Sequence, residues 1–289
     1  MMDFLAFQKQ YTPQIDAYLK KQLAAEVDND QLAQIMAYSV MAGGKRLRPL
    51  LFLATCQALG QELSEQTLRA ACGIELIHTY SLIHDDLPAM DDSPLRRGKP
   101  ASHVKWGEAQ AILAGDGLLP LGLQWLAEGT GSAQAVALLA QAIGPNGMVG
   151  GQYLDIDATN NAAVAGDQAF IDRMEWRKTG CLLLACVQVP VTWLAAAPTP
   201  KKRLLTFAKD FGRAYQIYDD LVDVFETSQE AGKNIHEDAA GGKNNALTLL
   251  GVKKSQEELA ALIDQAQQTL SGDYEVLAGF LDLYQRVLP

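Results

Sequence analysis

The chain has 289 residues, 48% of them hydrophobic and 20% charged, an ordinary globular composition near the upper size for a single core. Its 24 Lys and Arg against 34 Asp and Glu leave a net charge of −10, which argues against general nucleic-acid binding. The cations gather in Lys45-Arg46-Arg48, Arg96-Arg97-Lys99 and Arg177-Lys178, a pattern of local anion sites rather than a polyanion-binding face. The four cysteines form no CxxC pair and read as small buried hydrophobes of a reducing compartment. Met1 to Lys20 lacks the basic start and apolar run of a signal peptide. The longest apolar run, Cys181 to Ala197, is broken by Gln188 and Pro190. The expectation is a soluble cytoplasmic protein with no stable membrane insertion.

Helical periodicity runs nearly throughout. Gln31 to Ala42 spaces Leu32, Ile35, Met36 and Ser39 by three and four residues, and Gly43-Gly44 stops the helix it predicts. Leu50 to Leu59 predicts a second, ended by Gly60. Ser64 is the expected N-cap of a third over Thr67 to His84. Gly107 to Glu128 follows with Pro120 as a kink, then Ala133 to Ile143 up to Gly144-Pro145. Gln168 to Val189, Lys201 to Glu226, Gln256 to Leu270 and a short C-terminal helix complete the chain. No alternating run bounded by turns predicts a strand. Val187 to Leu194 could be extended, with the helical reading ahead of it. The expected architecture is all-α, one domain over residues 1–289.

Three stretches carry chemistry. In Gly43-Gly44-Lys45-Arg46-Leu47-Arg48-Pro49, two glycines expose backbone N–H groups and three cations follow before a helix start. That is either a phosphate site or a basic surface turn. The second stretch runs from His78 to Asp92, with Tyr80 and Ser81 one turn ahead of Asp85. Four carboxylates, Asp85, Asp86, Asp91 and Asp92, fall within eight residues and repel one another unless a cation sits among them. Carboxylates alone suit a hard ion such as Mg²⁺, and Arg96-Arg97 suggest a phosphate that the metal also touches. The six-residue step from Asp85 to Asp91, with Pro88 between, does not fit a straight helix. The helix is expected to unravel there and swing Asp91 back toward Asp85. The third stretch is Tyr215 to Asp223, where Asp219 and Asp223 share a face with Asp220 beside them, on a helix whose apolar side is Phe211, Ala214, Ile217, Leu221 and Val224. Two such acidic clusters can share metal ions. Lys178-Thr179-Gly180 adds a cation and a hydroxyl, and Lys233 and Lys243 flank a Gly-rich stretch, either a mobile lid or an ordinary connection.

Together these residues resemble the trans-isoprenyl diphosphate synthase family, its bacterial farnesyl and geranyl branch in particular. The matches are Gly43 to Pro49, Asp85-Asp86-x4-Asp91 with Arg96 to Pro100, Gly150-Gly151-Gln152, Lys178-Thr179-Gly180, Tyr215-Gln216 and Asp219-Asp220-x2-Asp223, in the family's order. The resemblance implies a large helical bundle around a central cavity, a homodimer, small-molecule diphosphate substrates and three Mg²⁺ ions. Carried over by position, Asp85 and Asp91 would ligate metal with Asp86 in support, and Asp219 would lead the second cluster with Asp220 and Asp223 near it. Arg96, Lys178, Thr179, Gln216, Lys233 and, more weakly matched, Lys243 would hold an allylic diphosphate. Gly44, Lys45, Arg48, His78 and Arg97 would hold isopentenyl diphosphate. Tyr80 and Ser81 would set product length, with bulky Tyr80 as a floor. The implied product is farnesyl diphosphate.

The sequence departs from the family at Ser93-Pro94, at Asn234 and at Asn244-Asn245-Ala246-Leu247. Rival readings are a geranylgeranyl diphosphate synthase, a class I terpene cyclase, a non-catalytic partner subunit and an unrelated Mg²⁺-dependent phosphohydrolase. A cyclase needs no second diphosphate site, an inactive subunit needs no intact acidic clusters, and a phosphohydrolase leaves Gly43 to Arg48 unexplained.

Overall fold

A computed structural model describes residues 3–160, 167–225 and 251–288, and among these the fold is all-α. It divides into two compact units, one of residues 6–136 and one of residues 137–289 with the first five.

In the first unit, α1 (Phe4–Glu26) buries Phe7, Ile15, Leu19 and Leu23. Next come α2 (Asp30–Val40), α3 (Leu47–Ala58) and α4 (Glu65–Asp85). As expected, Ser64 caps α4, its side chain accepting the Thr67 N–H. A hairpin of two-residue strands, β1 (Leu95–Arg96) and β2 (Lys99–Pro100), follows. No strand was expected from the sequence; this one is too short to leave an alternating pattern. The short α5 (Ser102–Trp106) then leads into α6 (Glu108–Thr130), which contains Pro120. The main packing is α4 against α6, and it is backbone on backbone. A Cβ on Gly73 would lie 2.5 Å from the Gly122 carbonyl oxygen, and one on Gly122 would lie 2.6 Å from that of Gly73. An ion-pair group, Arg69 with Glu26 and Glu128, braces α1, α4 and α6, and the Trp125 indole donates to Glu26 at 2.8 Å.

α7 (Ala133–Ile143) carries the chain into the second unit. There, α8 (Met148–Asn160) is followed by α9 (Gln168–Glu175), a π-helical turn over Trp176–Gly180 and α10 (Cys181–Trp193). The single helix expected over Gln168 to Val189 is therefore interrupted, and Val187 to Trp193 is helical rather than extended. α11 (Pro198–Phe225) packs on α12 (Val252–Leu270) and on a C-terminal segment of α13 (Glu275–Ala278) and a 3₁₀ helix, Gly279–Val287. Tyr284 is fully buried and its hydroxyl donates to the Phe211 carbonyl on α11 at 2.9 Å.

Candidate functional site

The first acidic cluster is built by the way α4 ends. Pro88 cannot continue the helix. The chain folds back on itself: the Asp91 N–H donates to the Asp85 carbonyl at 2.9 Å, and the Asp92 N–H, on a residue with φ of 48°, donates to that of Leu87 at 3.1 Å. The six-residue spacing thus becomes a closed backbone turn, with Asp85 half-buried and Asp91 exposed. Asp86 points inward and is 3% exposed. Its carboxylate takes the Arg96 Nε–H at 3.0 Å and a second, shorter bond from the same guanidinium. Burial pushes the Asp86 carboxyl up, opposed by Arg96.

The hairpin sends its two arginines apart. Arg97 and Gly98 form its turn, with φ of 53° and 73°. That is the pattern of the turns whose twist matches a two-residue hairpin. Arg96 goes to Asp86. Arg97 donates to the Gly43 carbonyl and lies so close to Gly44 that a Cβ there would sit 2.7 Å from its Cζ. Gly43 and Gly44, at φ of 116° and 117°, are where the chain needs glycine.

Of the three cations in that loop, one has a different job. Arg46, left-handed at φ 51°, turns into the core and is 3% exposed. It donates to Asp16, to Glu75 and to the Val40 carbonyl, each at 2.8 Å. Arg48 is also buried, but its Nη1 donates to His78 Nε2 at 3.2 Å and its Nε finds no hydrogen-bond partner among the described residues. A guanidinium only donates, so His78 must accept at Nε2 and carry its proton on Nδ1. Burial, followed by the charges of Arg48, Arg97, Arg96 and Arg46, holds the imidazole well below its usual range. Burial also pulls Arg97 down, and Arg46, Arg96 and Arg48 add to this against the pull of Glu75. Gly44, Arg48, His78 and Arg97 thus belong to one strongly positive neighbourhood, which a multiply charged anion would relieve, and Lys45 is exposed next to Gly44 in the same loop.

Tyr80 is buried on α4, its ring edge-on to His84 with centroids 5.6 Å apart. His84 in turn donates through Nε2 to the Ile112 carbonyl on α6 at 3.1 Å. The Ser81 hydroxyl donates to the His78 carbonyl at 2.9 Å.

The second unit carries the other candidates. Lys178 and Thr179 sit in the π turn, closed by the Cys181 N–H on the Trp176 carbonyl. Lys178 Nζ donates to Asp155 Oδ2 on α8 at 2.5 Å. On α11, Gln216 precedes Asp219 and Asp220 by three and four residues, which puts them on neighbouring faces of the same turns. Asp219 is exposed, and the Gln216 amide nitrogen is buried without a hydrogen-bond partner among the described residues. The Tyr218 hydroxyl accepts from Arg286 Nε at 2.5 Å. Asp223 lies on α11, its side chain outside the described residues, as are Lys233 and Lys243 altogether. Asp155 was not singled out from the sequence, although the Gly150-Gly151 pair one turn before it was.

Among the described residues, no three His, Cys, Asp or Glu side chains converge on one point. Mg²⁺ is ordinarily held by one or two carboxylates together with water and substrate phosphates rather than in an all-protein cage. The donors are of the right kind, carboxylate oxygens on Asp85, Asp91 and Asp219 that reach solvent.

A family model described as polyprenyl synthetase matches residues 29–278. The farnesyl diphosphate synthase of Geobacillus stearothermophilus is 41% identical over 247 residues, covering 83% of this chain and 82% of that protein. A chloroplastic geranylgeranyl pyrophosphate synthase of Capsicum annuum is 40% identical over 245 residues, covering 83% of this chain and 66% of that protein. A geranyltransferase structure from Helicobacter pylori, complexed with magnesium and isoprenyl diphosphate, matches with a TM-score of 0.82 at 28% identity over 99% of this chain and 98% of that one.

Proposed function

The chain belongs to the polyprenyl synthetase family of prenyltransferases, and from that premise we propose that it joins isopentenyl diphosphate to dimethylallyl and then geranyl diphosphate, releasing diphosphate each time and ending at farnesyl diphosphate. The observation that carries this reading is the positive neighbourhood of Arg48, His78 and Arg97 beside the Gly43-Gly44 loop. An enzyme that only ionised one diphosphate would have no use for it.

Gly44, Lys45, Arg48 and Arg97 bind the isopentenyl diphosphate, and neutral His78 offers its Nδ1–H. Lys178, Thr179 and Gln216 orient the allylic diphosphate, joined by Arg96, whose five N–H donors can serve Asp86 and a phosphate together. Lys233 and Lys243 are proposed for the same diphosphate. Bound Mg²⁺, for which Asp85, Asp91, Asp219, Asp220 and Asp223 are the proposed ligands with Asp86 behind them, would supply positive charge to the departing diphosphate. The allylic C1–O bond breaks, the isopentenyl double bond attacks C1, and a proton leaves the new cation. The released diphosphate takes that proton. Apolar walls exclude the water that would quench the cation. Tyr80, buried one turn before Asp85, ends the space for the growing chain. No described helix is long and apolar enough to cross a membrane, and we propose a cytoplasmic homodimer.

The test is incubation with isopentenyl diphosphate, either allylic diphosphate and Mg²⁺, with the product sized by chromatography. Farnesyl diphosphate is expected. Condensation that runs on to geranylgeranyl diphosphate would favour the second reading, which the similarity to synthases of both lengths supports. No condensation with any allylic partner overturns the assignment.

A further inference from the structure

The Gly150-Gly151 pair and α8, the helix that contains it, have no part in the chemistry above, yet α8 lies directly against Lys178. A Cβ on Gly151 would fall 2.1 Å from the Lys178 backbone nitrogen and 2.6 Å from its Cα, so only glycine lets the two backbones come so close. Asp155 follows Gly151 by four residues and therefore projects from the same face one turn on. Its carboxylate meets the Lys178 ammonium at 2.5 Å, with only 12% of the Asp155 side chain and 27% of the Lys178 side chain exposed. The backbone and the tip of one lysine are thus both held by a single helix face.

The π turn adds a reason for this. Its wider ring, closed by the Cys181 N–H on the Trp176 carbonyl, takes Lys178 out of ordinary helical register. The Trp176 ring locks the turn, since a Cβ on Gly180 would lie 2.5 Å from it. A lysine has a long flexible stem and three donors on its ammonium. Fixing the ammonium on a carboxylate sets where its charge sits.

We propose that Asp155 is a positioning residue that holds the Lys178 ammonium in place for the allylic diphosphate, with Gly151 setting the backbone approach that makes this possible. The proposal rests on the reading of Lys178 as an allylic diphosphate ligand. The experiment measures KM for geranyl diphosphate and for isopentenyl diphosphate separately in Asp155→Ala, Asp155→Asn and Lys178→Ala. Inorganic pyrophosphate binding is followed by calorimetry in parallel. Asp155→Ala should raise the allylic KM and weaken pyrophosphate binding by about tenfold, the scale on which removing an orienting partner acts. The isopentenyl KM should stay within about twofold, and Asp155→Asn, which keeps one acceptor oxygen, should recover part of the loss. Equal rises in both KM values would show a merely structural role, and a lower allylic KM would show that Asp155 competes with the substrate. Either result overturns the proposal. If Asp155→Ala does not fold, Asp155→Asn decides the same question. If Lys178→Ala itself leaves the allylic KM unchanged, the reading of Lys178 fails and this proposal with it. If only the Asp155 variants are silent, the proposal fails alone.

Discussion

The two acidic clusters are made in opposite ways. Around Asp219, helix α11 runs through, and the spacing of the aspartates is the helix's own repeat. Around Asp85, the helix stops, and two backbone hydrogen bonds return Asp91 to the level it left. One cluster is positioned by packing of a long helix, with Phe211, Tyr218 and Leu221 buried and the C-terminal Tyr284 and Arg286 holding its back. The other is positioned by a local loop, with Asp86 and Arg96 tied together beneath it. The same side chain at a four-residue or a six-residue step therefore needs different support.

The sharpest break is removal of a carboxylate from each. Asp85→Ala and Asp219→Ala should each lower turnover by about a thousandfold, the scale of losing a group that stabilises a developing charge. Melting temperature should stay within about 2 °C in both, because the fold-back runs through backbone atoms and alanine is a good helix former. A large fall in melting temperature for Asp85→Ala alone would mean that its side chain, not the backbone turn, holds the loop. Next in size is Arg46→Ala, which leaves Glu75 buried and unpaired on α4, ten residues before Asp85. It should destabilise the protein by about 3–5 kcal/mol in chemical denaturation. Arg48→Ala in the same loop should chiefly raise the isopentenyl diphosphate KM.

Two smaller changes sharpen the contrast. Tyr80→Ala should lengthen the main product without changing the metal requirement, read by product chromatography, and an unchanged product would remove Tyr80 from that role. On the α11 side, Asp210 is 7% exposed and one carboxylate oxygen has no hydrogen-bond partner among the described residues. Burial pushes its carboxyl up, more than Arg213 and Lys209 pull it down. A raised folded pKa means that ionisation costs the folded state. The cost is absent below the unfolded value near 3.8 and grows as pH rises through the folded one. Asp210→Asn should therefore stabilise the protein at neutral pH by about 1 kcal/mol, with the gain fading as pH falls toward 4.

Much of the first cluster was legible in the sequence, because its signals are local. Ser64 as a cap, Pro88 as a stop and the six-residue step each constrain the backbone within a few residues. What could not be read depends on contacts between distant residues. Arg46, Lys45 and Arg48 look alike in sequence, and only the left-handed backbone at Arg46 sends it to Asp16 and Glu75. α8 escaped because Gly147, Gly150 and Gly151 break the helical pattern, whereas Gly151 is there for close packing inside a helix. α1 escaped because Pro13 and scattered Lys and Gln blur the stripe of Phe7, Ile15, Leu19 and Leu23. The π turn left no trace, since its extra residue per turn is invisible until Gly180 and Trp176 are seen to touch.

If Tyr80 sets product length as proposed, the glycine contact between α4 and α6 gains a mechanical meaning. Helices packed through side chains can slip a fraction of an ångström as rotamers change. Gly73 and Gly122 bring backbone directly against backbone, which leaves little room there for rotamers to change. Tyr80, seven residues after Gly73 on the same helix, then stands at a calibrated depth below Asp85. On the proposed role of Tyr80, a new product length would then be selected by changing that one side chain rather than by moving the helix. The tolerance of that spacing is set at a pair of glycines one helix crossing away from the side chain it positions.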